Sequence, residues 1–109
     1  MEEPPDPSDF IKEGDKISAA GLTFKALHVP GHTSGSLAYY CSEGEFVFTG
    51  DALFAGGIGR TDLPGGNYET LIRSIKEKIL SLPPETVIYP GHGPSSSVGR
   101  EIESNPWLK

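Results

Sequence analysis

Three short stretches carry the residue types that could do chemistry: Val29-Pro30-Gly31-His32-Thr33-Ser34-Gly35-Ser36, Phe48-Thr49-Gly50-Asp51 and Tyr89-Pro90-Gly91-His92-Gly93. In each, an apolar, strand-like run breaks at a glycine, and a His or Asp stands at or just past the break. A strand end followed by a glycine turn is a rigid place from which to aim an imidazole or a carboxylate. If the three ends converge, His32, Asp51 and His92 form one site. Imidazole nitrogen and carboxylate oxygen are ligands that borderline divalent metals such as zinc accept. By residue type alone a plainer reading stays open, because glycine turns tolerate any polar residue. For Asp51, the buried strand in front of Gly50 favours the ligand reading over a turn carboxylate.

The neighbouring polar residues read as supports. His28 lies four before His32, but Pro30-Gly31 forbids the helix that would place such a pair on one face, so His28 reads as a strand residue. Thr33 and Ser34 read as turn residues whose hydroxyls hold the His32 loop, and Thr49 can do the same beside Asp51. Gly56-Gly57-Ile58-Gly59-Arg60 is glycine-rich, but it lacks the G-x-G-x-x-G spacing and no helix starts directly after it, which argues against a phosphate cradle. Cys41 ends the apolar run Leu37-Ala38-Tyr39-Tyr40 and reads as a buried structural thiol rather than a nucleophile. As the single cysteine it also excludes an internal disulfide and fits a reducing, cytoplasmic setting.

The elements that must position these residues follow from periodicity. Met1 to Ser8 has no hydrophobic pattern and reads as an extended lead-in, and Asp9 to Glu13 suggests one helical turn stopped by Gly14. The lead-in is assigned to 1–13 and the folded unit to 14–109. Lys16-Ile17-Ser18 suggests a short strand. Leu22, Phe24, Ala26 and His28 then alternate with Thr23, Lys25, Leu27 and Val29, the period of a half-buried strand. Ser36 to Cys41 and Glu45 to Thr49 suggest an antiparallel hairpin turned at Glu43-Gly44. A glycine-rich loop is expected over 55–66. Asn67 then reads as an N-cap, Glu69 suits the positive end of the helix dipole, and Pro83-Pro84 closes the segment. Leu71, Ile72, Ile75, Ile79 and Leu82 form one apolar stripe, so this helix is expected to pack on a sheet with its back in water. Thr86 to Tyr89 suggests a strand delivering His92, and Val98 to Ser104 a last short helix ended near Pro106. The expectation is an α/β unit with a small, mainly antiparallel sheet and one principal covering helix.

Composition removes several classes. The 109 residues permit one domain of ordinary size, and Gly 14 plus Pro 10 make the chain loop-rich without the pattern of disorder. The formal net charge is −6 and the nine basic residues are scattered, so no basic run suits a nucleic-acid backbone. No apolar run approaches the roughly 20 residues of a membrane span, and no secretory signal pattern precedes the acidic start.

Taken in order, the runs PGHTSGS, FTGD, GGIGRTDLPGGNYE and YPGHG resemble the second half of a metallo-β-lactamase-superfamily hydrolase, most closely the glyoxalase II-like (hydroxyacylglutathione hydrolase-like) branch. The resemblance runs from about Gly14 to Asn105-Pro106-Trp107-Leu108. It implies half of an αββα sandwich and a binuclear zinc site in which His32 goes to one metal, Asp51 bridges and His92 goes to the other. The complete site would cleave an acyl thioester or similar carbonyl substrate through a metal-bound hydroxide. The first-half signature of that family, H-x-H-x-D-H, is absent from the chain, so each metal would have only two protein ligands here. The isolated chain is therefore expected to bind zinc weakly and to be inactive alone. Arg60 occupies the place of a basic residue that can contact the thiol cofactor's carboxylate. Asp62 stands where glutathione-using members often have an aromatic residue, and a loop-stabilising Arg60–Asp62 ion pair is the equal alternative. Tyr68 is expected to pack rather than touch substrate. A half-sandwich also implies a sheet face built to meet something: the missing N-terminal half, or a second copy in a homodimer. A non-catalytic half-domain that self-associates through that face is the competing class.

Overall fold

The computed structural model describes residues 13–31, 36–62 and 66–108. The suggested turn at Asp9 to Glu13 lies mostly outside them, as do Thr33 and Ser34. Strands β1 (Lys16–Ala19), β2 (Leu22–His28), β3 (Leu37–Cys41) and β4 (Phe46–Gly50) form an antiparallel meander. A small hairpin, β5 (Leu53–Phe54) and β6 (Gly57–Ile58), precedes helix α1 (Tyr68–Ser74), which runs directly into a π-helical turn, Ile75–Ile79. Strand β7 (Val87–Pro90), strand β8 (Ser96–Ser97), helix α2 (Val98–Ser104) and a 3-10 turn, Pro106–Leu108, complete the chain. The main sheet has six strands in the order β1-β2-β3-β4-β7-β8, with β4 and β7 its one parallel pair. The mainly antiparallel α/β arrangement agrees with the sequence reading.

Helix α1 starts where expected. The Asn67 side chain accepts the Thr70 amide at 2.9 Å, which satisfies one of the free N–H groups of the first turn. Leu71, Ile75 and Ile79 follow at intervals of four and are fully buried. They meet Leu27, Ala38, Val47 and Ile88, which project from one face of the sheet and form one core with them. The π turn is a feature that the apolar stripe does not announce. It shifts the hydrogen bonding so that the Leu80 amide reaches the Ile75 carbonyl at 2.9 Å, and Pro83 follows shortly after.

The register defines the other face. Ile17 lies opposite Phe24, Ala26 opposite Tyr39, Tyr39 opposite Phe48, and Phe48 opposite Tyr89. Directly paired residues share a face, as do residues two apart on a strand, so all of these project away from α1. Phe24, Phe46, Phe48 and Tyr89 form an aromatic cluster with ring centroids 5.3–5.9 Å apart. Ala26 and Cys41 are fully buried without belonging to the helix-side core. Phe48 and Tyr89 are each 43% exposed, so this face ends in rings open to solvent.

The expected loop over 55–66 is partly structured. Its start contributes the second strand of the β5–β6 hairpin, closed by the Gly59 amide on the Ala52 carbonyl at 2.9 Å. Each strand has only two residues, too few to display a period of two in the sequence.

Candidate functional site

Parallel pairing assembles the site. Because β4 and β7 run side by side in one direction, their C-terminal ends reach the same sheet edge. Asp51 follows the end of β4 and His92 follows the end of β7 by two residues. The Gly91 amide donates to the Gly50 carbonyl at 2.8 Å and clips the two strand ends together. A side chain on Gly91 would press on the Gly50 carbonyl at 3.1 Å and meet the Asp51 carboxylate at 3.4 Å, so any larger residue here would have to push the two strand ends apart by a few tenths of an ångström. The result is a His92 Nε2 to Asp51 Oδ1 distance of 3.8 Å, beyond a hydrogen bond. Their side chains are 76% and 60% exposed, respectively. Both side chains therefore open onto a cleft.

Strand β2 ends at the same edge, since two antiparallel steps through β3 restore the direction of β4. Its exit is held at Gly31, whose carbonyl accepts the Asn67 amide at 2.7 Å at the start of α1. His32 itself, one residue further, lies outside the described residues. Of the three proposed ligands, the structure brings Asp51 and His92 together, and it places the strand that leads to His32 at their edge. Among the described residues no group of three or more His, Cys, Asp or Glu forms a ready metal cluster.

Supports surround the pair. The Thr49 hydroxyl is buried and donates to the Leu53 carbonyl at 2.8 Å, while the Ala52 amide returns to the Thr49 carbonyl at 3.0 Å. Together they pin the turn that carries Asp51, the role expected of Thr49. Phe54 lies against His92, with ring centroids 4.6 Å apart and planes 27° from parallel. Sequence reasoning missed Phe54; its only signal is an aromatic residue three past Asp51, inside a glycine-rich segment. Asp51, Phe54, Gly59, Arg60 and His92 line a cleft of about 350 Å³.

Arg60 forms the two-pronged ion pair with Asp62, at 2.9 and 3.0 Å. The Arg60 hydrogen bond holds the Asp62 carboxyl below its usual range, and Asp62 in turn raises the Arg60 guanidinium. The loop pair anticipated from sequence is thus present, and Arg60 still lines the cleft. His28 is a strand residue at the end of β2, and Cys41 is buried. Tyr68 packs edge-on to Trp107 at 6.4 Å and stays 47% exposed, so its packing is only partial.

Comparison with known proteins places this arrangement. The family model described as "Metallo-beta-lactamase superfamily" matches residues 1–92. The probable metallo-hydrolase YqgX of Bacillus subtilis is 48% identical over 103 residues, 94% of this chain and 49% of that protein. The hydroxyacylglutathione hydrolase GloC of Haemophilus influenzae is 48% identical over 99 residues, 91% of this chain and 47% of that one. Among solved structures, TTHA1623 in a di-iron-bound form aligns with a TM-score of 0.83 at 46% identity, covering 98% of this chain and 50% of that one. The chain spans about half the length of the relatives it matches. With the sheet, the strand-end His and Asp and these similarities in agreement, the chain belongs to the metallo-β-lactamase superfamily.

Proposed function

We propose that this chain carries one half of the active site of a metal-dependent hydrolase acting on a thioester or similar acyl substrate. The observation that supports it most directly is the Asp51–His92 pair, held 3.8 Å apart at the ends of parallel strands and open to a cleft. One nitrogen and one carboxylate, with no thiolate beside them, suit zinc and equally suit iron, the metal named for TTHA1623. His32, Asp51 and His92 would hold it, with zinc the first choice from the sequence. A divalent metal bound there supplies Lewis acidity, which lowers the pKa of water and polarises a carbonyl. Asp51, pinned by Thr49, is the carboxylate at the reacting centre. Phe54 restricts the His92 ring, and Arg60 offers a cation at the cleft wall to a substrate carboxylate, in competition with Asp62.

Three donors for a two-metal site would leave each metal short of the three protein ligands that a catalytic zinc usually has. The partner is therefore the missing N-terminal half bearing H-x-H-x-D-H, or a second copy of this chain. The solvent-open aromatic sheet face favours a second reading as well: a non-catalytic half-domain that self-associates through these rings.

Metal content per chain, measured by elemental analysis across a size-exclusion peak, separates the readings. The expected result is substoichiometric zinc in the isolated chain, lost in His92→Ala, and no thioester hydrolysis. Hydrolysis should appear when a first half bearing H-x-H-x-D-H is added. A full two-metal site in a purified monomer, or a mixture of halves that stays inert, would sink the proposal.

A further inference from the structure

Glu101, on α2, is a buried carboxylate. It is 1% exposed, and among the described residues no Lys, Arg or His pairs with it. Burying an acid this way costs stability unless its oxygens are fully used. Here they are: Oε2 accepts the Ser96 hydroxyl at 2.5 Å, and Oε1 accepts both Asn105 Nδ2 at 2.8 Å and the Gly56 amide at 2.9 Å. Asn105, also fully buried, extends the grip by donating from the same Nδ2 to the Gly57 carbonyl at 3.2 Å. Glu101 on α2 and Asn105 at its C-terminal cap, one helical turn apart, thus hold two consecutive residues, Gly56 in the β5–β6 turn and Gly57 at the start of β6. Strands of two residues cannot hold that hairpin by themselves. Yet the hairpin carries Phe54 at one end of its tip, stacked on His92, and leads into Gly59 and Arg60 on the cleft wall.

We propose that Glu101 is a positioning residue for the Asp51–His92 cleft, its buried carboxylate holding the β5–β6 hairpin where Phe54 stacks on His92. The claim rests on reading that cleft as the functional site, but its test needs neither metal nor substrate and so can fail independently of that reading.

Two NMR measurements on the metal-free full chain test it: hydrogen exchange of the Gly56 amide, and the nuclear Overhauser contact between the Phe54 and His92 rings. In Glu101→Ala the Gly56 amide should exchange about tenfold faster and the ring contact should vanish, while amides of β2 to β4 keep their protection. Glu101→Gln should restore both. Its amide oxygen can replace Oε1, and the Ser96 hydroxyl can turn to accept from the new NH2. A ring contact that persists in Glu101→Ala, or a Gln variant as loose as the Ala variant, overturns the proposal. Should Glu101→Ala not fold, Asn105→Ala loosens the same tip through Gly57. An unchanged Phe54–His92 contact there would equally overturn it.

Discussion

At the scale of single residues, the site depends on close approaches that only backbone allows. Gly31 has φ +131°, and a side chain there would overlap the Cβ and backbone of Leu71 in the first turn of α1. Neither partner is a flexible side-chain tip that could swing away. Gly31→Ala is expected to destabilise the chain by about 2–4 kcal/mol through combined strain and overlap. Urea unfolding checks it; a loss within the scatter of surface substitutions would show that the β2 exit is not clamped on α1. Glu13 makes a different kind of link. Burial pushes its carboxyl up, but the hydrogen bond from Lys78, the His28 amide and the charges of Lys78 and Lys25 outweigh this and hold it below the usual range. A carboxyl depressed in the folded state stabilises above its unfolded pKa, and that contribution is lost as pH falls through the folded value. Glu13→Gln should therefore be less stable than the parent at neutral pH, with the gap closing below the ordinary carboxylate range. The pair is partly exposed, so the effect should be small and weakened by salt. A gap that is constant with pH would remove Glu13 as the titrating group.

At the scale of elements, α1 does two jobs through its N-terminus. Asn67 caps the helix with its side chain and ties its own amide to Gly31, so helix start and β2 exit are fixed together. Asn67→Ala should cost about 1 kcal/mol, the usual worth of such a cap, since the backbone bond to Gly31 survives. Thermal unfolding measures this, and a cost near zero would mean that the side-chain cap adds nothing to tertiary packing. Helices α1 and α2, with Asn67, Glu69, the apolar stripe and the 98–104 segment, were legible because caps and a 3.6-residue period are local properties. The hairpin β3–β4 was legible for the same reason. The β5–β6 hairpin, β8 and the π turn were not, since strands of two residues have no period and a π turn keeps the same apolar stripe.

At the scale of the molecule, the main sheet has two apolar faces, and among the described residues helices cover only one of them. Phe48 and Tyr89 sit on the other face and are each 43% exposed. An aromatic surface of this kind favours association. The expected outcome is concentration-dependent self-association in a dilution series followed by light scattering, shifted toward monomer in Phe48→Glu/Tyr89→Glu. The substitutions lie outward on strands, so helix-side packing should be kept. A compact monomer at every concentration, with no response to the double substitution, would count against a second copy as cover for this face.

The sequence by itself determined the family, the principal elements with their capped ends, and the three glycine breaks that carry His32, Asp51 and His92. These are read along the chain, where spacing, turn chemistry and periodicity act over a few residues. Only the tertiary structure decided that β4 and β7 are parallel neighbours, which brings Asp51 within 3.8 Å of His92 across 41 positions of sequence. It also decided that Phe54 stacks on that histidine and that Glu101 grips the hairpin beneath it. Strand order and buried polar contacts join residues far apart in the chain, and no local pattern records which distant partner each will meet.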